Sequence, residues 1–281
     1  MIAPRPLLPS DLAPGDQRSA GFSWEALRII EASHADDPDF ERLYQLLEAE
    51  FGAKNEIETR AVLRERLAWQ IQEAHDDIHL RYHLLGIEMD GHIVAVRDHI
   101  VMVQTHPVPG TTVLLSHALV LPEMRRTGLA GWLRAFPLHD VRECHRKLHL
   151  TNPPPPNLIA EMEPLSSPEQ LPRLKAYARA GFRRVQPEII PYHQPDFRPF
   201  AEIDASGGPQ PLPFWLMIRR IGREDEVLCR SSEIRSSVRH FYTMYGQIFR
   251  RKDMASLWQA LDNYPPCETD IPLEDISFLE T

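Results

Sequence analysis

Apolar positions along this chain recur with two different periods, and the switches between them mark out the elements. Residues 24–33, WEALRIIEAS, mix apolar and polar positions over a length that suits a first strand. From Asp39 to Phe51, Phe40, Leu43, Leu46 and Leu47 recur at helical spacing. A second helix is predicted from about Glu58 to Ala74, with Val62, Leu63, Leu67 and Ile71 on its apolar face. The period then changes. HLRYHLLGIEM runs into Asp90-Gly91 and HIVAVRDHIVMVQT runs out of it. Asp-Gly between two β-rich segments signals a hairpin, because both central residues must tolerate positive φ. TTVLLSHALVL follows a turn at Pro109-Gly110, so residues 79–121 read as a three-stranded antiparallel meander, apolar enough to be buried on at least one face.

Pro122 ends that third strand. EMRRTGLAGW is a glycine-containing loop opening a helix that runs to about Lys147, and Pro137 inside it should kink or interrupt it. NLIAEMEPL is a further strand. Ser167-Pro168-Glu169-Gln170 has the form of a capping box, and the helix it opens stops at Gly181. FRRVQPEII and PLPFWLMIRRI read as the last strands, with a proline-rich excursion between them. Residues 222–264 form a helical appendix in which Ile234, Val238, Phe241, Tyr245 and Ile248 share one apolar face. The lead-in 1–22 and the tail around Pro265, Pro266 and Pro272 read as irregular. No internal repeat appears, and no linker is clean enough to prove a second domain.

Composition narrows the class. An apolar fraction of 43% over 281 residues permits a sizeable core. Lys and Arg total 31 against 40 Asp and Glu, a formal charge of -9, which argues against a nucleic-acid partner. The 26 prolines, against 13 glycines, crowd the first fifteen residues, the run 153–156 and the stretch 187–213. Three scattered cysteines, Cys144, Cys229 and Cys267, offer neither a disulfide framework nor metal-ligand spacing. The start lacks the apolar core of a signal peptide and no stretch approaches a membrane span, so a cytoplasmic protein without a membrane partner is expected.

The chemistry concentrates in residues 119–131, a strand, a tight loop and a helix N-terminus. Such a junction presents backbone N–H groups and the positive end of the helix dipole, which suits a phosphate. Gly128 removes a side chain where a backbone must approach a ligand, Ala130 does nearly the same, and Arg125 and Arg126 add charge. Neither G-x-G-x-x-G nor G-x-x-x-x-G followed by Lys is present. A surface turn with a solvated basic face accounts for the segment equally well. His75, His79, His83, His92 and His99 have no defensible metal-ligand arrangement and are read as scattered; no metal is expected.

Arg125-Arg126-Thr127-Gly128-Leu129-Ala130 resembles the Gln/Arg-x-x-Gly-x-Gly/Ala signature of the GNAT superfamily of N-acetyltransferases, placed as there after a long strand and at the opening of a helix. Leu174 to Phe182, with Tyr177 and Gly181-Phe182, resembles the Tyr-x-x-x-Gly-Phe segment of the next helix. The resemblance covers about residues 24–221. It implies an α+β, GNAT-like acyl-CoA N-acyltransferase fold: a mixed, mostly antiparallel sheet with flanking helices. The division is then a lead-in 1–23, an acetyltransferase-like domain 24–221 and a helical extension 222–281 packed on it. The extension's apolar face could instead shape the substrate site or form a homodimer.

What the resemblance implies about chemistry is specific. Arg125, Arg126, Thr127, Gly128, Leu129, Ala130 and Gly131 would hold the coenzyme A pyrophosphate. The strand before them, with Leu119, Val120 and Leu121, would pair with the pantetheine arm and splay from NLIAEMEP, and an N–H near Leu119 or Val120 would polarise the thioester carbonyl. Tyr177 would protonate the departing thiolate, unless it simply packs against the sheet. A general base is needed for the amine: His117 or Glu123 first, then Glu161 or Glu163. His117 shares strand parity with Leu119, so it also reads as an interior histidine. The implied activity is acetyl transfer from acetyl-CoA to an amine of a small molecule or protein. The alternatives are another acyl donor, or a module of the same fold that binds without turnover. Pro137, the run 152–157 and the excursion 187–213 depart from the family pattern.

Overall fold

The structure, a computed structural model, describes residues 8–54 and 57–277; the first seven residues of the lead-in and the last four of the tail lie outside them. In chain order the strands and α-helices are β1 Leu27–Ala32, α1 Pro38–Phe51, α2 Arg60–Leu67, β2 Ala74–His75, β3 Ile78–Met89, β4 His92–Gln104, β5 Gly110–Leu114, β6 Ala118–Val120, α3 Leu129–Lys147, β7 Asn157–Met162, α4 Leu171–Arg179, β8 Arg183–Val185, β9 Tyr192–Gln194, α5 Phe200–Ala205, β10 Leu212–Arg220, β11 Leu228–Arg230, α6 Ser231–Tyr245, α7 Arg251–Asp262 and β12 Asp270–Glu274. They form two compact units from interleaved pieces of chain. The first takes residues up to 74, 79–103 and 115–153; the second takes 75–78, 104–114 and everything from 154 on.

In the first unit β1 runs antiparallel to β3, from Leu27 opposite Met89 to Ala32 opposite Leu84, and β6 runs antiparallel to β4. The Asp90-Gly91 hairpin forms, with φ of 50° and 81° at those residues. Alternation along β3 decides what covers each face. Leu85 and Ile87 pack with Ile29, Val94, Leu129, Leu133 and Phe136, so α3 covers that face. Gly86 faces the other way, where a Cβ would meet Leu43 of α1 at 2.4 Å. Asp37 caps α1 by accepting from the Asp39 N–H at 3.0 Å.

The second unit is a mixed sheet. β5 pairs parallel with β7, β7 antiparallel with β10, β10 with β8, β8 with β12 and β12 with β11, while β9 pairs with another part of β10. Ile234, Val238, Phe241 and Tyr245 of α6 are buried. Ser167 and Gln170 make the capping box expected of them, although its helix opens with a 3-10 turn before α4.

Five expectations are corrected. The third meander strand is two strands, β5 and β6, separated at Leu115–His117, where His117 turns its own N–H and its ring to the buried Asp98. The second helix ends at Leu67, short of the predicted Ala74. Helix α3 continues without a break across Pro137. The tail contains β12, whose Ile271 and Leu273 are buried, and the lead-in is ordered as 3-10 turns at 9–11 and 14–21.

Candidate functional site

The signature loop is shaped by two residues in the left-handed region: Arg126 at φ 66° and Gly128 at φ 105°, ψ -9°. Thr127 Oγ1 donates to the Met124 carbonyl at 2.7 Å and Arg125 Nε to the Val120 carbonyl at 3.1 Å, which pins the loop to the strand before it. Arg125, Arg126, Thr127 and Ala130 are exposed, whereas Leu129 and Gly131 are buried. Helix α3 has no acidic residue in its first turn and carries His145, Arg146 and Lys147 in its last. Its dipole is complemented at the far end by these cations.

The lead-in braces this loop from behind. Ser19 Oγ donates to the Gly128 carbonyl at 2.7 Å, and Trp132 Nε1 donates to the Ser19 carbonyl at 2.6 Å. Asp16 takes the Arg134 guanidinium and Asp11 that of Arg142, each through both oxygens. A Cβ on Gly131 would lie 2.2 Å from Ser19 Oγ, and one on Gly128 3.0 Å from Ser19 Cα. Composition gave no sign of this contact, because the lead-in has no periodic apolar pattern; its acids meet arginines spaced along α3.

On the strand before the loop, Asp98 N–H bonds to the His117 carbonyl at 3.1 Å and Leu121 N–H to the Val94 carbonyl at 3.0 Å. Residues 117, 119 and 121 thus turn their peptide groups to β4, and alternation turns those of Ala118 and Val120 to the opposite edge. Val120, rather than the equally expected Leu119, has its N–H off this ladder. His117 is interior, as its parity with Leu119 requires. Asp98 Oδ1 accepts from the His117 N–H at 2.7 Å and lies 2.9 Å from its Nδ1, and Tyr82 donates to the other oxygen at 3.1 Å. Burial pushes the Asp98 carboxyl up, but the charge and hydrogen bonds of His117 more than offset it, so it is held below the usual carboxylate range. Burial, then the Asp98 charge, push the Tyr82 phenol well up. The Phe51 ring packs 5.0 Å from the His117 ring. Glu123 is exposed and lines an open cleft of about 550 Å³ with Arg42, Gln45 and His92.

The remaining sequence-derived residues belong to the second unit. Tyr177 is half-buried on α4, its ring edge-on to Phe182 at 4.9 Å. Glu161 is held by three donors: Tyr192, Gln194 at 2.7 Å and Tyr245 at 2.9 Å. Glu163 accepts from Gln170 at 3.0 Å. This unit also has a cavity of about 510 Å³ lined by Pro107, Val108, Pro154, Arg235, His240 and Cys267 among others. Burial lowers the His240 imidazole to about 3. The reading of His83 and His99 as scattered is corrected: both stand on the α3 face of the first unit's sheet, rings stacked at 4.9 Å.

Among the described residues no helix is long and apolar enough to cross a membrane. No family model matches the sequence, and no curated protein matches it. Among solved structures, the chain is similar to a Desulfovibrio desulfuricans protein assigned to the GNAT family of acetyltransferases, at 16% identity over 70% of this chain and 99% of that one, with a TM-score of 0.41. It is similar to Arabidopsis thaliana NAA60 in complex with acetyl-CoA, at 14% identity over 69% and 100%, TM-score 0.40. It is also similar to an aminoglycoside acetyltransferase from an uncultured soil metagenomic sample, at 16% identity over 55% and 88%, TM-score 0.35.

Proposed function

We propose that this chain is an N-acyltransferase that moves an acyl group, acetyl by default, from coenzyme A to an amine. The observation that carries the reading is the loop 125–131. It is an exposed turn with φ 66° at Arg126 and 105° at Gly128, opening a 19-residue helix with no acid in its first turn. These residues fit a pyrophosphate: backbone and a helix dipole present positive charge, Arg125 and Arg126 add to it, and only the small Ala130 stands exposed in the first helical turn. Coenzyme A, when bound, supplies the activated thioester.

The chain's own residues have distinct tasks in this reading. The loop amides hold the phosphates. The Val120 N–H, turned away from β4, polarises the acyl carbonyl where negative charge develops. His117 takes a proton from the acceptor ammonium. Asp98, oxygen to Nδ1, fixes the tautomer and leaves the basic lone pair on Nε2. The resemblance to the family gives Tyr177 the protonation of the leaving thiolate. Glu123, exposed in an open cleft, serves as a second candidate base.

Calorimetric titration of the full chain with acetyl-CoA tests the reading, beside an Ala130→Glu variant. This position is better than Gly128, where any side chain meets Ser19 and a positive φ. A glutamate in the first helical turn suits the dipole and preserves folding, yet its carboxylate repels a phosphate. The expected result is binding by the parent, weakened about tenfold or more in the variant, consistent with a charge-assisted contact of about 1.5–3 kcal/mol. No binding by the parent removes the reading.

A further inference from the structure

We propose that His83, His99 and Asp140, with Glu31 at their edge, form a binding site for a divalent transition-metal ion of the zinc class. The three core residues come from three elements of the first unit: His83 from β3, His99 from β4 and Asp140 from α3. All three are buried, and one ligating atom from each falls within 4.8 Å of the others. His99 Nε2 lies 3.0 Å from Asp140 Oδ2, and His83 Nδ1 lies 3.9 Å from the same oxygen. Glu31 on β1 brings Oε1 to 2.7 Å from His83 Nδ1. The two imidazole planes are 10° from parallel, and both rings have a nitrogen near the same Asp140 oxygen.

The donor set and its spacing fit such an ion. Two imidazoles and two carboxylates are borderline ligands that suit zinc and its first-row neighbours rather than calcium or magnesium. Metal–ligand arms of about 2.0–2.2 Å in a tetrahedron set donor separations of about 3.3–3.6 Å. The observed pairs lie to either side of that range, and rotation of one stacked imidazole about its side-chain torsions brings the donors onto one centre. Asp140 and Glu31 bring two carboxylates to the two rings. A divalent ion balances them and ties β1, β3, β4 and α3 together. The role is structural: the residues lie in the layer between sheet and helix, and the inference does not depend on the proposed transfer reaction.

Residue spacing alone led to the opposite expectation, of no metal, because His83 and His99 are sixteen positions apart with no ligand spacing; the pairing of β3 with β4 brings them together. The test is titration of the chelator-stripped full chain with cobalt(II), followed by absorption, with zinc(II) as competitor and thermal unfolding alongside. One equivalent of cobalt should give the strong visible bands of a low-coordinate nitrogen and oxygen site, zinc should abolish them, and zinc should raise the melting temperature. Asp140→Asn and His99→Gln should weaken binding by about 100-fold or more. If either fails to fold, Glu31→Gln, at the more exposed edge, should still fold and weaken binding by about tenfold. Failure of the parent to bind cobalt, or binding that none of the three substitutions weakens, overturns the proposal.

Discussion

At Gly128 and Gly131 two different demands meet. The first needs a left-handed φ; the second needs the absence of a Cβ where Ser19 Oγ packs against the helix. The sequence reading took both as ligand-binding glycines, and it found the position of the loop without its brace, since no local pattern ties residue 19 to residue 128. Gly131→Ala should therefore act on the lead-in: overpacking of this kind costs about 1–3 kcal/mol, measurable by urea unfolding. Ser19→Ala, which removes one hydrogen bond, should cost about 0.5–1.5 kcal/mol in the same assay. The cysteines give a second prediction. Burial pushes the Cys144 thiol, and again the Cys229 thiol, up to about 12, with nearby acids adding to it, while Cys267 is exposed. Alkylation of the folded protein near pH 8 should modify Cys267 alone, and denaturant should release the other two, as counted by mass spectrometry.

Elements were legible where one rule governed them. The Asp-Gly turn, the helical stripe of α1 and the capping box before α4 all follow from local chemistry, and all form. Pro137 was expected to kink or interrupt the helix because it removes one N–H, but the flanking Phe136, Leu138 and Val141 are buried and α3 runs unbroken across it. The excursion between β8 and β10 was read only as proline-rich. It is organised by Asp196, a buried acid that no periodicity reveals. Its carboxylate accepts from the Arg198 guanidinium and from the N–H groups of Arg198 and Gln210. The Arg198 hydrogen bond is the main reason its carboxyl falls to about 2; burial opposes this and the backbone donors assist. A depressed folded value stabilises above the unfolded aspartate value of about 3.9 and ceases to do so as pH falls through about 2. Asp196→Asn should thus destabilise near pH 7 by about 1–3 kcal/mol, and the gap to the parent should close in denaturation curves taken below pH 3.

At the scale of the molecule the interleaving of the two units was not legible. Residues 104–114 leave the first unit in mid-meander and return at 115, a crossing set by tertiary pairing rather than by any linker. The tail was missed for a related reason: Pro272 within it and Pro265 and Pro266 before it disguise β12, which nonetheless pairs with β8 and β11 and buries Ile271 and Leu273. Deleting residues 265–281 should remove those ladders and the buried apolar groups, lowering the melting temperature by at least about 4 °C. Calorimetry is the direct measurement.

The brace of the lead-in has a consequence for biosynthesis. Asp11 and Asp16 emerge from the ribosome early, but Arg142 and Arg134 follow 131 and 118 positions later. At roughly 5–20 residues per second the lead-in waits several seconds for its helix. During that interval the growing chain holds two acids and a short apolar stretch with nothing to bind. The first unit closes only when α3 has cleared the exit tunnel, so Asp11 and Asp16 are secured long after they emerge.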